Sequence, residues 1–212
     1  MTSNVVVFLL PAVLLFAVVL FAAWVRSPSV RGSVGEFVVD RALRSLDASE
    51  YRIYADLILP SLDGTTQIDH IVVSRFGVFV IETKNFGGLI VGSPRSAQWT
   101  QRRGRRSYPF QNPLRQNHRH VKAVETALGV SQREIIPLLV FAGECRLHPN
   151  IANCVTSVAT LASTISSCTV PMFSAARRDE LCQRLERARL DEQPGVRRAH
   201  AAALREKHRS GH

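Results

Sequence analysis

Asp69, Glu82 and Lys84 stand at an Asp-x(12)-Glu-x-Lys spacing, a pattern suited to phosphodiester chemistry. The two carboxylates offer hard oxygen ligands to Mg²⁺, and the Thr83 carbonyl offers another. An ion held there neutralises a phosphate and activates water. Lys84 lies two residues beyond Glu82 and so on the same face of a strand, where it can orient the attacking water or stabilise charge developing on phosphorus.

These residues need a rigid frame, and the stretch QIDHIVVSRFGVFVIETK from Gln67 to Lys84 supplies one. Two apolar, β-branched runs, Ile68 to Val73 and Val78 to Ile81, flank Ser74-Arg75-Phe76-Gly77, which reads as a hairpin turn. A tip at Arg75-Phe76 sets Asp69 opposite Glu82, Ile71 opposite Val80 and Gln67 opposite Lys84. Gln67, Asp69, Glu82 and Lys84 then share one face at the open end. Ile68, Val72, Phe79 and Ile81 fall on one side, and Ile71, Val73, Val78 and Val80 on the other, so both faces are apolar and the sheet is covered on each. A bulge at Gly77 would shift this register.

Before the hairpin, Ser33-Val34-Gly35-Glu36 fits the S-x-x-E capping box and predicts a helix ending before Ala48-Ser49. A strand follows over Tyr51 to Leu59, and a loop over Ser61 to Thr66. After it, Leu89 to Val91 and Gln98 to Gln101 form a smaller β segment turning near Gly104 toward Tyr108. Asn112-Pro113 opens a helix that carries Gln116 and His120 to Gly129. Ile135 to Phe141 is a buried strand in which Pro137 suits an edge or a start. A short strand near Cys154 to Thr156, a short helix near Val158 to Ile165 and an amphipathic helix over Ser174 to Leu190 complete the domain. His120 shares the Gln116 face and is expected at the surface, while His70 points away from Asp69 into packing. Cys145, Cys154, Cys168 and Cys182 match no disulfide or zinc spacing and read as reduced and mostly buried.

The formal charge of +10 lies entirely beyond residue 25, and 24 of the 27 basic residues are arginine. Nucleic acid or an anionic membrane is the natural partner. Arg102, Arg103, Arg105 and Arg106 surround Gly104, with Trp99 and Tyr108 near enough in sequence to stack on bases. Arg115, Arg119 and Lys122 extend that positive surface along the next helix. Val5 to Val25 carries no charge and is long enough to span a bilayer as a helix. Arg26, Arg31, Arg41 and Arg44 follow it, so the positive-inside rule puts the N-terminus outside and the C-terminal domain in the cytoplasm. The basic tail could then also contact anionic lipid.

IDHIVVSRFGVFVIETKNFGG, with Gly35-Glu36 before it and Trp99 and the NPLRQN of Asn112 to Asn117 after it, resembles the nuclease-related domain (NERD) family over roughly Val34 to Leu147. That family is similar to the PD-(D/E)xK restriction-endonuclease-like nucleases. The resemblance implies an α/β fold with an αβββαβ core, a mixed central sheet flanked by helices. It implies metal binding by Asp69 and Glu82 assisted by Glu36, a catalytic Lys84, and Gln116 as the polar residue from the following helix. Ile68 stands where the superfamily's name has proline.

The expectation is therefore a transmembrane anchor over residues 1–26, a linker over 27–32, a nuclease-related domain over 33–192 and a basic tail over 193–212. Its expected function is a membrane-anchored endonuclease that hydrolyses DNA, with RNA left open, using Mg²⁺ or Mn²⁺. The alternative is a non-catalytic nucleic-acid-binding or scaffolding module that keeps the nuclease fold.

Overall fold

A computed structural model of the chain describes Leu20 and residues 28–210. In chain order the strands are β1 (Arg52–Ser61), β2 (Gly64–Ser74), β3 (Gly77–Lys84), β4 (Gly88–Val91), β5 (Gln98–Arg103), β6 (Arg106–Gln111), β7 (Ile135–Phe141), β8 (Cys145–Leu147) and β9 (Thr156–Ser157). The helices are α1 (Pro28–Leu43), α2 (Pro113–Leu128), α3 (Pro149–Ala152), α4 (Val158–Ser166), α5 (Ala175–Ala188) and α6 (Val196–Ser210).

A five-stranded mixed sheet in the order β1-β2-β3-β7-β9 forms the middle layer. β1 to β3 are an antiparallel meander, and β7 and β9 add in parallel. The β2–β3 register follows the alternation: Ile71 faces Val80, and Ser74 faces Gly77 across the Arg75-Phe76 tip. Gly77 has φ 135°, and a Cβ there would approach Ile136 Cδ1 to 2.9 Å, so the turn needs glycine. The ladder ends at His70 and Ile81, leaving Asp69 and Glu82 just past its last pair. Pro137 is tolerated because β9 pairs with β7 only at Val140 and Phe141, so the outer side of β7 asks for no N–H at Pro137.

Both faces of the sheet are covered. Ile71, Val73, Val78 and Val80 pack under Val121, Val124 and Leu128 of α2 and Leu181 and Leu185 of α5. Val72, Phe79 and Ile81 pack under Val39 and Leu43 of α1 and Leu161 and Ile165 of α4. Each such side chain contributes about 1.5–3 kcal/mol when taken fully out of water. Ile68 joins the Ile71 face instead of the Val72 face, at the level where Asp56 of β1 has φ 54°. A four-stranded sheet, β6-β5-β4-β8, packs Ile90 and Trp99 against Leu139 and Phe141 at the edge of the main sheet.

The expected core of a mixed sheet flanked by helices is present, with two differences in its periphery. First, α1 begins at Pro28, so Ser33 and Glu36 lie within the helix and form no capping box. Proline is favoured in a first helical turn, where its missing N–H costs nothing. Second, the loop expected over Ser61 to Thr66 is a tight turn at Leu62-Asp63 between β1 and β2; the basic tail forms α6, which Arg197 ties to Asp56 of β1 at 2.6 Å while His200 meets Thr65 of β2 at 2.8 Å.

Among the described residues no helix is long and apolar enough to cross a membrane. The transmembrane helix expected over Val5 to Val25 is therefore withdrawn, its residues other than Leu20 lying outside those described. Withdrawn with it are the membrane partner, the lipid contact of the tail and the topology that faced the domain to the cytoplasm.

Candidate functional site

Glu82 is 1% exposed at the end of β3, and its carboxylate is fully engaged. Lys84 Nζ lies 2.5 Å from Oε1, and His120 Nε2 lies 3.0 Å from Oε2. The chain of contacts continues on both sides: Thr66 Oγ1 is 2.8 Å from His120 Nδ1, and Lys84 Nζ donates to Gln116 Oε1 at 3.0 Å. Burial raises the pKa of Glu82, but the His120 hydrogen bond and the Lys84 charge more than offset it, and the net shift is downward. An ionised carboxylate only accepts, so His120 Nε2 carries the proton of their shared bond.

Helix α2 is docked for this purpose by Asn117, whose Nδ2 donates to Val80 O at 3.1 Å and Leu138 O at 3.0 Å. Gln116 and His120, four residues apart, therefore both face the end of β3. Asn112 caps the helix, its side chain accepting from Leu114 N, and Gly129 closes it in the left-handed conformation. His120, expected at the surface, is 4% exposed and one of the two partners of Glu82. Its position four after Gln116 was the available signal.

Asp69 lies beside this network and accepts from Thr83 N at 2.7 Å. Burial above all, and then the Glu82 charge, push its pKa well above the usual carboxylate range. Two carboxylates in one desolvated place do not both ionise easily, and here Glu82 holds the cation. Glu36 of α1 reaches the same cavity, with its pKa raised by burial and then by Asp56 and Glu82. α1 can approach because Gly35 packs on Asn85, where a Cβ would come within 2.8 Å of the Asn85 Cβ. Gln67 turns away and donates to Asp56 Oδ1 at 2.5 Å.

Glu36, Asp69, Glu82, Lys84 and Gln116 thus line one cavity of about 550 Å³ at the junction of the two sheets. Its other wall is the β5–β6 hairpin with Arg103, Tyr108 and Phe110. Arg102, Arg105 and Arg106 are exposed around the same hairpin tip, and among the described residues no carboxylate pairs with any of these arginines. Tyr108 is 45% exposed. Trp99 is not available for stacking: it is 1% exposed and its Nε1 donates to Ser93 O at 2.8 Å. Arg115 is exposed and donates to Arg95 O at 2.6 Å. Arg119 and Lys122 line a different hollow beside Asp63 and Glu125, and Lys122 is paired with Glu125 at 2.7 Å.

The residues do not form a metal centre as they stand. Among the described residues no three His, Cys, Asp or Glu side chains are grouped to hold one ion. Both oxygens of Glu82 are committed to Lys84 and His120, and Asp69 Oδ2 to Thr83 N. The expected membrane-anchored, metal-dependent endonuclease is corrected on both counts, since neither a spanning helix nor such a donor group is found among the described residues. What the arrangement offers is a cavity that places two cations, Lys84 and Arg103, beside three carboxyl groups, of which Glu82 is paired with Lys84. Lys84 has three donors, two already used on Glu82 and Gln116, which leaves one for a ligand.

The family model described as the nuclease-related domain matches residues 31–142, more than half of the chain. The chain is also similar to the uncharacterized protein pXO1-01 of Bacillus anthracis, at 40% identity over 144 residues that cover 64% of this chain and 68% of that protein. Glu36 with all but the first three residues of α1 falls inside the family match, as do the arginine hairpin and α2 with Gln116 and His120.

Proposed function

The chain belongs to the nuclease-related domain family, and from that premise we propose that it is a nucleic-acid-binding module that keeps the nuclease fold and grips the phosphate backbone. The observation that carries this reading is the β5–β6 hairpin, whose four arginines stand exposed without carboxylate partners among the described residues at the mouth of the cavity holding Lys84. Arginine at such a tip supplies bidentate donors for phosphate. Lys84 and Arg103 meet the backbone at the cavity, and Arg102, Arg105 and Arg106 meet it outside. DNA and RNA share this chemistry.

Hydrolysis of phosphodiesters with Mg²⁺ or Mn²⁺ is a second reading. It is favoured by the gathering of Asp69, Glu82, Lys84, Gln116 and Glu36 on one cavity. In it Glu82 must first release His120 or Lys84, because both its oxygens are taken.

One experiment separates the two. The full chain is incubated with single- and double-stranded DNA and RNA, with and without Mg²⁺ or Mn²⁺, while binding and strand integrity are followed together. Salt-sensitive binding with every substrate left intact is the expected result. Cleavage that appears only with the cation and vanishes in Asp69→Asn and Lys84→Met selects hydrolysis instead.

A further inference from the structure

We propose that the cavity takes one unpaired nucleotide of a single-stranded nucleic acid, its base against Tyr108 and its phosphate toward Lys84 and Arg103, an inference that rests on the nucleic-acid-binding reading. The size of the cavity is the first argument. About 550 Å³ lies within the range of sites that enclose a single small ligand and is far too small for a duplex. A paired base reaches such a place only by leaving its stack, which an unpaired one need not do.

The chemistry of the walls is the second argument. Tyr108 pairs with Gln101 and Phe110 with Trp99 across β5 and β6, so Tyr108 and Phe110 share a face, and both line the cavity. Phe86 packs edge-on against Phe110 with ring centroids 4.7 Å apart, which fixes the rear of that wall. Tyr108 is the aromatic left exposed, and a base has a π-face to offer it whatever its sequence. The opposite wall carries Lys84 with its remaining donor.

The third argument is the exit. Arg103 lines this cavity and also a neighbouring hollow of about 480 Å³, in which Arg102 and Arg146 join it with Gly88 and Gly104. Arg102 of β5, Leu89 of β4 and Arg146 of β8 stand in register across three strands, so the two arginines project from one sheet face. That face is opposite the one carrying Tyr108 and Phe110, and Arg103 beside the hairpin tip lines both hollows, so a strand with one nucleotide in the cavity turns around the tip past Arg103 onto a second set of cations. Arg146 becomes a backbone contact that its isolated place in the sequence does not suggest.

The test is fluorescence anisotropy of the full chain with a labelled oligothymidylate of about 12 nucleotides and with a duplex of the same length. The single strand is expected to bind at least tenfold more tightly at equal salt. Tyr108→Ala should weaken single-strand binding roughly tenfold, leave duplex binding unchanged, and be rescued by Tyr108→Phe. Arg146→Gln should lower the salt slope of single-strand binding by roughly 0.7. Both sites are exposed, and an unchanged melting temperature confirms the fold of each variant. Equal binding of single strand and duplex, indifferent to Tyr108→Ala, overturns the inference while leaving nucleic-acid binding intact. Absence of salt-sensitive binding to either form overturns the binding reading itself.

Discussion

Replacing His70 with leucine flattens the acid side of the protein's stability profile. His70 is 1% exposed, and neither ring nitrogen has a hydrogen-bond partner. Burial lowers its pKa to about 4, although the carboxylates of Asp40 and Asp56 pull the other way. In an unfolded chain the ring titrates near its ordinary value of about 6.5. Between those two values the unfolded state binds a proton that the folded state refuses, so stability falls as the pH drops through this window. The full shift corresponds to about 3 kcal/mol. Above pH about 6.5 the ring is neutral in both states and the contribution vanishes. Leucine has no proton to bind and no polar atom to leave unsatisfied, so His70→Leu should be neutral or stabilising at pH 7 and more stable than the parent at pH 5. Urea unfolding of both proteins at those two pH values measures the difference. Parallel losses in the two proteins would show that His70 is not the group responsible.

His120→Leu should destabilise the fold by about 3 kcal/mol. The substitution removes the donor at Glu82 Oε2 and leaves a buried, ionised carboxylate held by Lys84 alone. Breaking a buried charged pair costs more than the pair contributes, because the remaining charge stays desolvated. The double variant Glu82→Gln/His120→Leu should recover part of the loss, since the neutral amide leaves no desolvated charge and only its N–H donors go without an acceptor. That recovery is the signature of charge. A cavity effect at His120 would persist in the double variant, and thermal or denaturant unfolding distinguishes the two. Because the pKa of Glu82 is lowered in the fold, its contribution is present above the ordinary carboxylate range and is lost as the pH falls through the folded value.

The hairpin that organises the site was readable from the chain itself. A two-residue tip at Arg75-Phe76 before Gly77 sets the register that pairs Ile71 with Val80, and because both faces of the hairpin are apolar it is the turn, more than the side-chain pattern, that fixes it. The helix carrying Gln116 was equally plain, with Asn112 and Pro113 at its start and Gly129 at its end. Other features depended on contacts distant in sequence. A histidine one turn beyond Gln116 reads as surface until Asn117 anchors the helix against β3 and β7. Trp99 beside an arginine run reads as a stacking residue until its sheet is folded onto Phe141 and Leu139. Arg119 and Lys122 follow Arg115 closely, yet the rotation of the helix delivers them to Asp63 and Glu125. The S-x-x-E of Ser33 to Glu36 is compatible with a helix start and with a helix interior, and only the continuation back to Pro28 decides between them.

Nucleic-acid binding through the hairpin is tested most directly by the salt dependence of affinity. The full chain and a variant with Arg102, Arg103, Arg105 and Arg106 all changed to glutamine are titrated with the same labelled oligonucleotide over a range of salt. If the four arginines each neutralise a phosphate of a single strand, the slope of log affinity against log salt should become shallower by about 3 in the variant, at roughly 0.7 per contact. Equal slopes for the two proteins would mean that the hairpin does not hold the backbone, and would contradict the account.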